Sequence, residues 1–229
     1  MPSFNPVPAK PDHIALEHRI LGRWESERTF EQLRDQNRGN DPWSFVDGPI
    51  TANNPMGVHH AWGRTLKDVF QRFHASQGRD QRYQNGFDCQ GLWVEVGVEK
   101  DLGLNSKRDI ESYGLDRFAR ACRDRVAEYS GVQTQQSKRL GQWMDWERSY
   151  FTMTDVNVSY IWTFLAECHR RGWLYLGHRS MPWCPRCGTS LSQHELIDSY
   201  DDLTHPSLFV LFPLLDGEGE ALVAWTTTP

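Results

Sequence analysis

The chain has 229 residues, of which 38% are hydrophobic and 24% are charged, so it can bury a core and is not a long disordered chain. Its net charge of −5 does not favour binding to nucleic acid through charge alone, which usually requires a basic patch. The five cysteines, the absence of a signal-peptide core and the lack of any apolar run near the ~18 residues of a membrane span predict a cytoplasmic protein.

The first third of the chain predicts helices interrupted by one strand. Caps, turn residues and apolar spacing define each segment. The predicted elements are, in order, a disordered lead-in (1–11), a helix capped by Asp12, a second helical segment around Phe30 and Leu33, a loop (37–42), a strand (Trp43–Val46) and a helix that begins at the pair His59-His60 and ends near Gly78.

The middle of the chain continues the alternation of strands and helices. This alternation predicts parallel strand pairing and an α/β domain. The predicted elements are a strand (81–84), a turn at Asn85-Gly86, a helix from Leu92 to Gly103, a helix through Leu115 and Tyr129, a helix capped by Thr154 or Asp155 that ends at Gly172, and a strand (Leu174–Leu176).

The composition changes after Ser180. Residues 184–188 form a tight Cys-Pro-Arg-Cys-Gly knuckle, and two β-rich runs, 207–215 and 221–227, flank a hairpin turn at Asp216–Gly219. Two strands alone are marginally stable, so we expect the final β-rich run to pair with further strands and the given chain to be truncated within a sheet. An edge strand with a frayed tail is the alternative.

The pair His59-His60 is the first candidate site. It follows a predicted strand and opens a helix, where unpaired N–H groups and the helix dipole favour anions. Imidazoles there can donate hydrogen bonds to a phosphate. Two exposed histidines without a ligand are the alternative.

Several blocks of this sequence resemble class I aminoacyl-tRNA synthetases, and in particular their isoleucine branch. The resemblance runs in order from about Ala15 to the last residue. The matching blocks are Asp47-Gly48-Pro49, the histidine pair with Arg64–Asp68, Asn85–Glu95 with Val98-Glu99-Lys100, Trp143–Trp146, Arg170–Trp173, Trp183–Ser192 and Trp225–Pro229.

This resemblance implies a fold and an activity. It implies that residues 12–181 form the N-terminal half of a Rossmann-like adenylation domain. Residues 182–229 would contain the zinc-knuckle region and the truncated start of an inserted β-rich domain, the connective peptide or editing domain. The family uses ATP with Mg²⁺ to convert an amino acid to its adenylate, here isoleucine, and transfers it to tRNA. The implied partners are isoleucine, ATP and the isoleucine tRNA, with the protein acting as a monomer.

The resemblance also implies roles for individual residues. Gly48 and Pro49 would line the adenylate pocket, and Asp88 would hold the α-ammonium of the amino acid. Without the resemblance, Asp88 reads equally well as a turn or N-cap residue. Gln90 stands where many members have histidine. The residues that bind the phosphates of ATP would be Gly57, His59, His60 and Lys67. Of these, His59 and His60 would also be catalytic.

One departure from the family concerns the histidine motif. The family pattern is His-x-Gly-His, whereas this chain has Gly57-Val58-His59-His60. The first and third positions are therefore exchanged. We expect either a weakened ATP site or a small backbone shift that returns one imidazole to the phosphates, and we favour the shift.

Two further sites are implied beyond residue 181. Cys184 and Cys187 form half of a zinc site, which needs four ligands. His194 or His205 could complete it, and two free cysteines are the alternative. Thr226, Thr227 and Thr228 would supply hydroxyls to part of an editing pocket. The other cysteines, Cys89, Cys122 and Cys168, are expected in the core or in a pocket wall.

Two other functions stay open at this point. A valine or leucine synthetase shares the layout, and a non-catalytic α/β module with a zinc knuckle is also consistent with the pattern. The second signature loop of the family, Lys-Met-Ser-Lys-Ser, does not occur in these residues. We therefore expect the 229 residues alone not to charge tRNA.

Overall fold

A three-stranded parallel sheet organises the first part of the computed structural model, which describes residues 9–228. The strands are β1 (Ile50–Thr51), β2 (Gln84–Asp88) and β3 (Asp145–Phe151), and they are paired in the order β1-β2-β3. Thr51 lies opposite Asp88, and Phe87 lies opposite Phe151. The predicted α/β class with parallel pairing is confirmed.

Helices connect and flank these strands. They are α1 (His13–Ser26), α2 (Thr29–Asn37), α3 (Val58–Ser76), α4 (Leu92–Leu102), α5 (Lys107–Tyr113), α6 (Leu115–Arg139) and α7 (Asp155–Arg170). Helix α3 crosses from β1 to β2, and α4, α5 and α6 cross from β2 to β3. Of the predicted lead-in over 1–11, residues 1–8 lie outside the described residues.

Local capping explains the helix ends that the sequence predicts. The Asp12 carboxylate accepts the Ala15 N–H at 3.0 Å and starts α1. Gly103 ends α4 in the left-handed conformation, at φ 69°. Thr154 caps α7 through the Asn157 N–H. These three boundaries are confirmed.

Two apolar clusters join the sheet to its helices. Phe87 of β2 packs with Val94 of α4 and Val126 of α6, and Val98 packs with Ile110 and Phe118. Cys89 is buried in the first cluster, and Cys122 packs against both, as predicted for core cysteines. Cys168 is partly exposed on α7.

The predicted strand at Trp43–Val46 is wrong. The Trp43 N–H bonds to the carbonyl of Asp80 at 2.9 Å, and its ring stacks on His74 with a centroid distance of 3.9 Å. Val46 is 91% exposed. This run is therefore an irregular segment whose Trp43 packs against the end of α3, and the chain enters the sheet only at Ile50.

The predicted strand at 81–84 and the predicted turn at Asn85-Gly86 are also wrong. Both turn residues lie inside β2. Asn85 is fully buried between Arg64 and Ser149, and the ring of Tyr150 crosses Gly86 so closely that an added Cβ would lie 2.2 Å from it. Here tertiary contacts, and not turn formation, require asparagine and glycine.

Two further differences concern strands. The predicted strand Leu174–Leu176 is wrong, because this segment is extended without a partner strand in the described part of the chain and Leu176 is fully exposed. The sequence analysis did not identify β3, whose Glu147 and Arg148 are exposed. This interrupts the apolar pattern expected of a strand in a parallel sheet.

Residues from His178 form a second unit. It contains the antiparallel pair β4 (Trp183–Cys184) and β5 (Thr189–Ser190), a short helix α8 (Gln193–Leu196), and the antiparallel pair β6 (Leu208–Pro213) and β7 (Ala221–Thr226). The predicted hairpin is confirmed. Within residues 9–228, no helix is both long and apolar enough to cross a membrane.

Candidate functional site

The carboxyl ends of β1 and β2 bring Thr51 and Asp88 together. The Thr51 hydroxyl donates to Oδ2 of Asp88 at 3.0 Å, and the Gln90 N–H donates to Oδ1 at 3.4 Å. Helix α4 is capped by Gly91, so Asp88 is not an N-cap residue. Each oxygen keeps a lone pair available. The half-buried carboxylate can therefore receive a cationic group at the edge where open α/β sheets bind ligands.

The histidine pair lies on the first turn of α3, directly after β1. Gly57 is the N-cap residue, and its N–H donates to Nδ1 of His60 at 3.1 Å. The two imidazoles contact each other, with ring centroids 3.9 Å apart and planes at 44°. The His60 N–H donates to the Gly57 carbonyl at 3.0 Å. The N–H groups that precede it at a helix start have no intrahelical acceptor, so this terminus suits an anion.

The hydrogen bond from Gly57 fixes the tautomer of His60. Partial burial lowers the pKa of His60, and the neighbouring His59 and Arg64 lower it further. The ring is therefore neutral at pH 7. Because Nδ1 accepts a hydrogen bond, the single proton of the neutral ring lies on Nε2. His60 is thus a neutral hydrogen-bond donor through Nε2–H.

An ion pair fixes the loop of Gly48 and Pro49. The buried Asp47 carboxylate lies 2.5 Å from the Lys67 ammonium, which also donates to the Gly48 carbonyl at 3.3 Å. The Tyr150 hydroxyl donates to the Asp47 carbonyl at 2.7 Å. Burial raises the pKa of Tyr150, and Asp47 and Asp88 raise it further. The ammonium of Lys67, a residue of α3, therefore contacts this loop, and its predicted phosphate contact stays a prediction.

A buried arginine lies beneath the histidine turn. Arg64 is 2% exposed and donates to Oδ1 of Asn85 at 3.0 Å and to Oε1 of Gln142 at 3.4 Å. Burial lowers the pKa of Arg64, and Asp47 opposes this shift. The guanidinium stays charged. Sequence reasoning placed Arg64 only within a matching block and did not identify this cluster.

Two amides of α6 hold the loop between β1 and α3. Gln133, which is 1% exposed, donates through Nε2 to the carbonyls of Thr51 at 2.9 Å and Asn54 at 2.8 Å. Gln136 accepts the Met56 N–H at 2.7 Å. Sequence reasoning missed both residues. Their spacing of three on a helix, which puts them on one face, was the available signal.

A cavity of about 290 Å³ opens at the same edge, and Gln90 contributes to its wall. Its other lining residues are mainly apolar and include Cys89, Val94, Phe118, Cys122 and Met153. A larger groove of about 740 Å³ includes Met144 and Asp145 at the amino end of β3 and is lined mostly by charged residues. The smaller cavity adjoins the predicted site, whereas the larger one lies at the other end of the strands.

The cysteine knuckle of the second unit is a tight turn. Gly188, at φ 66°, donates to the Cys184 carbonyl at 2.9 Å, and the Cys187 N–H donates to the Cys184 sulfur at 3.4 Å. Hydrogen bonds from Cys187 lower the pKa of the Cys184 thiol. Residues 9–228 contain no group of three or more His, Cys, Asp or Glu side chains that could hold a metal. Neither His194 nor His205 completes a zinc site, and two thiols do not fit one.

The three threonines also lie in the second unit. Thr226 ends β7 opposite Leu208, and its hydroxyl accepts the Thr228 N–H at 3.1 Å. Thr227 and Thr228 are exposed. Their predicted role in editing stays a prediction.

Known proteins resemble the chain over most of its length. Residues 19–211 match the family model described as tRNA synthetases class I (I, L, M and V). The isoleucine–tRNA ligase of Streptomyces coelicolor is 43% identical over 100% of this chain, and that of Thermus thermophilus is 39% identical over 96%. The isoleucine–tRNA ligase 2 of Bacillus thuringiensis is 38% identical over 97%. The chain spans 22% of the length of each of these relatives.

A solved structure has the same fold. The LeuRS chain of a LeuRS–tRNA–LeuAMS ternary complex from Agrobacterium radiobacter aligns with 96% of this chain at a TM-score of 0.58. The alignment covers 24% of that chain at 15% sequence identity. At this identity the likeness shows the fold alone.

Proposed function

This chain belongs to the class I tRNA synthetases of the isoleucine, leucine, methionine and valine group, and on that premise we propose that it forms the part of an isoleucine–tRNA ligase that activates isoleucine with ATP. One observation carries the proposal. Asp88 and the helix terminus of His59 and His60 follow two adjacent parallel strands at their carboxyl ends. This is the edge where open α/β sheets bind ligands, and we infer that a ligand with one cationic and one anionic end binds there.

The proposed reaction is an in-line displacement at the α-phosphate of ATP. An oxygen of the isoleucine carboxylate forms a bond to the α-phosphorus, and the bond from that phosphorus to the oxygen bridging to the β-phosphate breaks. Pyrophosphate leaves with the electron pair, and isoleucyl-adenylate remains. This chemistry requires positioning and stabilisation of the phosphate charge, both of which fixed hydrogen-bond donors supply.

Each site residue then has a defined task. Asp88 binds the α-ammonium of isoleucine by a charge-assisted hydrogen bond. The donors to the phosphates are Nε2–H of His60, the imidazole of His59 and the N–H groups of Val58 and His59 at the start of α3. Gly48 and Pro49, on the loop held by Lys67, line the adenylate pocket beside Gln90.

Mg²⁺ would enter this site with ATP. Magnesium is usually bound by substrate phosphates together with one or two carboxylates, so it does not require a ligand cluster of its own. Its chemistry when bound would be neutralisation of phosphate charge.

The proposed domains and partners extend beyond the adenylation site. We assign 12–181 to the N-terminal half of a Rossmann-like adenylation domain and 182–229 to the start of an inserted β-rich domain for connection and editing. The isoleucine tRNA is the proposed acceptor, and Thr226–Thr228 contribute to hydrolysis of wrongly charged tRNA. We propose that the protein is a monomer. We also propose a cytoplasmic location, which is consistent with the five free thiols. Zinc binding at Cys184 and Cys187 requires two further ligands.

The test is amino-acid-dependent exchange of pyrophosphate into ATP by the full-length protein. We expect exchange with isoleucine and weaker exchange with valine, by about 10- to 200-fold, the discrimination that one methylene allows. A preference for valine or leucine would transfer the activity to another member of the group. A protein that binds none of these amino acids and catalyses no exchange would be the non-catalytic module.

A further inference from the structure

Gly57 and His59 approach each other more closely than their sequence positions suggest. A Cβ atom built on Gly57 would lie 2.9 Å from Cε1 and 3.0 Å from Nδ1 of His59. The imidazole of His59 therefore lies back over the N-cap residue of α3. It fills the space in which a side chain at position 57 would begin.

The same arrangement brings His59 to His60. Their ring centroids are 3.9 Å apart, and Nδ1 of His60 accepts the N–H of Gly57. Gly57 thus acts on both imidazoles. Its N–H holds His60, and its bare Cα leaves room for His59.

We propose that Gly57 is a positioning residue for a two-imidazole donor pair, because its lack of a side chain lets His59 lie beside His60 where both rings meet a phosphate ligand. The identity of that ligand, the triphosphate of ATP, rests on the proposed function. The pairing itself rests on the geometry of the helix start.

The proposal accounts for the exchanged motif. In the sequence pattern of the family the histidine stands first and the glycine third. In this chain the imidazole of the third position lies where a side chain of the first position would start. The proposal is therefore that the two substitutions compensate each other through the folded-back ring of His59.

Small substitutions on α3 separate this role from a general effect on the helix. Gly57→Ala and Gly57→Ser both add the Cβ that displaces His59, and serine is also a favourable N-cap residue, so loss of the cap cannot explain a shared effect. Gly63→Ala is the matched control, because a Cβ at Gly63 meets nothing within 4 Å. The displaced group is a side chain that can rotate, so all three variants should fold.

The first readout is kcat/KM for ATP in isoleucine-dependent pyrophosphate exchange. Both Gly57 variants should lose about 10- to 100-fold, the scale of one or two hydrogen bonds to a charged group, and Gly63→Ala should match the wild type. In a His59→Ala background, Gly57→Ala should cause no further loss. Equal losses in both backgrounds, or full activity of both Gly57 variants, would overturn the proposal.

The reciprocal variant Gly57→His/His59→Gly tests the compensation directly. It should retain exchange at a level well above that of His59→Ala alone. An exchange rate equal to that of His59→Ala would contradict the equivalence of the two imidazole positions.

A second readout does not depend on the proposed activity. Deuterium exchange at the imidazole carbons, followed by mass spectrometry across a pH series, reports the pKa of each histidine. Since His59 contributes to the lowered pKa of His60, displacing His59 should raise the pKa of His60 in Gly57→Ala and not in Gly63→Ala. An unchanged pKa in Gly57→Ala would overturn the pairing. If the wild-type protein catalyses no exchange but Gly57→Ala still raises the pKa of His60, the proposed function is wrong and the pairing of the two imidazoles stands.

Discussion

The two units of this chain place motif residues in very different surroundings. In the first unit, the motif residues at the sheet edge are held by buried partners, since Asp47, Arg64 and Gln133 are all at most 2% exposed. In the second unit, none of the described residues from 178 to 228 is buried, and β6 is exposed along its whole length. Buried side chains therefore surround the motif residues of the first unit and not those of the second.

This difference shows what preorganises a site. The Thr51 hydroxyl of β1 holds Asp88, and Gln133 and Gln136 of α6 hold the loop before the histidine turn. Groups held in this way lose little freedom when a ligand binds. The knuckle and the threonine strand are held by local hydrogen bonds, and the acceptors include the Cys184 sulfur and the Thr226 hydroxyl. Substitutions at the sheet edge should therefore have large effects on function and stability, whereas equivalent changes in the second unit should have small ones.

The largest expected effect is at Asp88. Asp88→Ala should raise KM for isoleucine far more than KM for ATP, because it leaves the substrate ammonium unpaired, a loss of about 3–5 kcal/mol. Steady-state pyrophosphate exchange measures both constants. Asp201→Ala, an exposed aspartate of the second unit, is the control and should change neither. Equal rises in both KM values for Asp88→Ala would reduce Asp88 to a turn residue.

The next effect concerns Gly86. Gly86→Ala should lower the free energy of unfolding by about 3 kcal/mol, because its Cβ would overlap the ring of Tyr150 on the neighbouring strand β3. Gly188→Ala should cost less, about 1–2 kcal/mol, because only its positive φ opposes a side chain. Urea unfolding followed by tryptophan fluorescence compares them. A smaller loss at Gly86 than at Gly188 would remove packing as the reason for glycine in β2.

The smallest of the three effects is at Gln133. Gln133→Leu should cost about 1–3 kcal/mol of stability and raise KM for ATP, because the carbonyls of Thr51 and Asn54 lose their donor and the loop before α3 loosens. Gln193→Leu in the exposed helix α8 should leave both quantities unchanged. Loss of stability with an unchanged KM would limit Gln133 to a structural role.

The sequence predicted the features that local interactions determine. The start of α1 at Asp12 and the end of α4 at Gly103 follow from caps that lie within a few residues. The position of the histidines on the first turn of a helix was predicted from the same kind of signal. These features need no knowledge of distant contacts.

The features that the sequence did not predict depend on distant partners. Asn85-Gly86 was interpreted as a turn because its contacts with Arg64 and Tyr150 are 21 and 64 residues away. Gln133 was not identified because its acceptors lie about 80 residues earlier in the chain. The closeness of His59 to Gly57 depends on a side-chain rotamer that the sequence does not specify.

Isoleucine-dependent pyrophosphate exchange by His60→Ala tests the central claim most directly, namely that the held first turn of α3 is the ATP site. The account predicts a rate at least about 10²-fold below wild type, the scale for one preorganised donor, and an unchanged rate for the exposed α1 histidine variant His18→Ala. An unchanged rate in His60→Ala would remove His60 from the site and contradict the account.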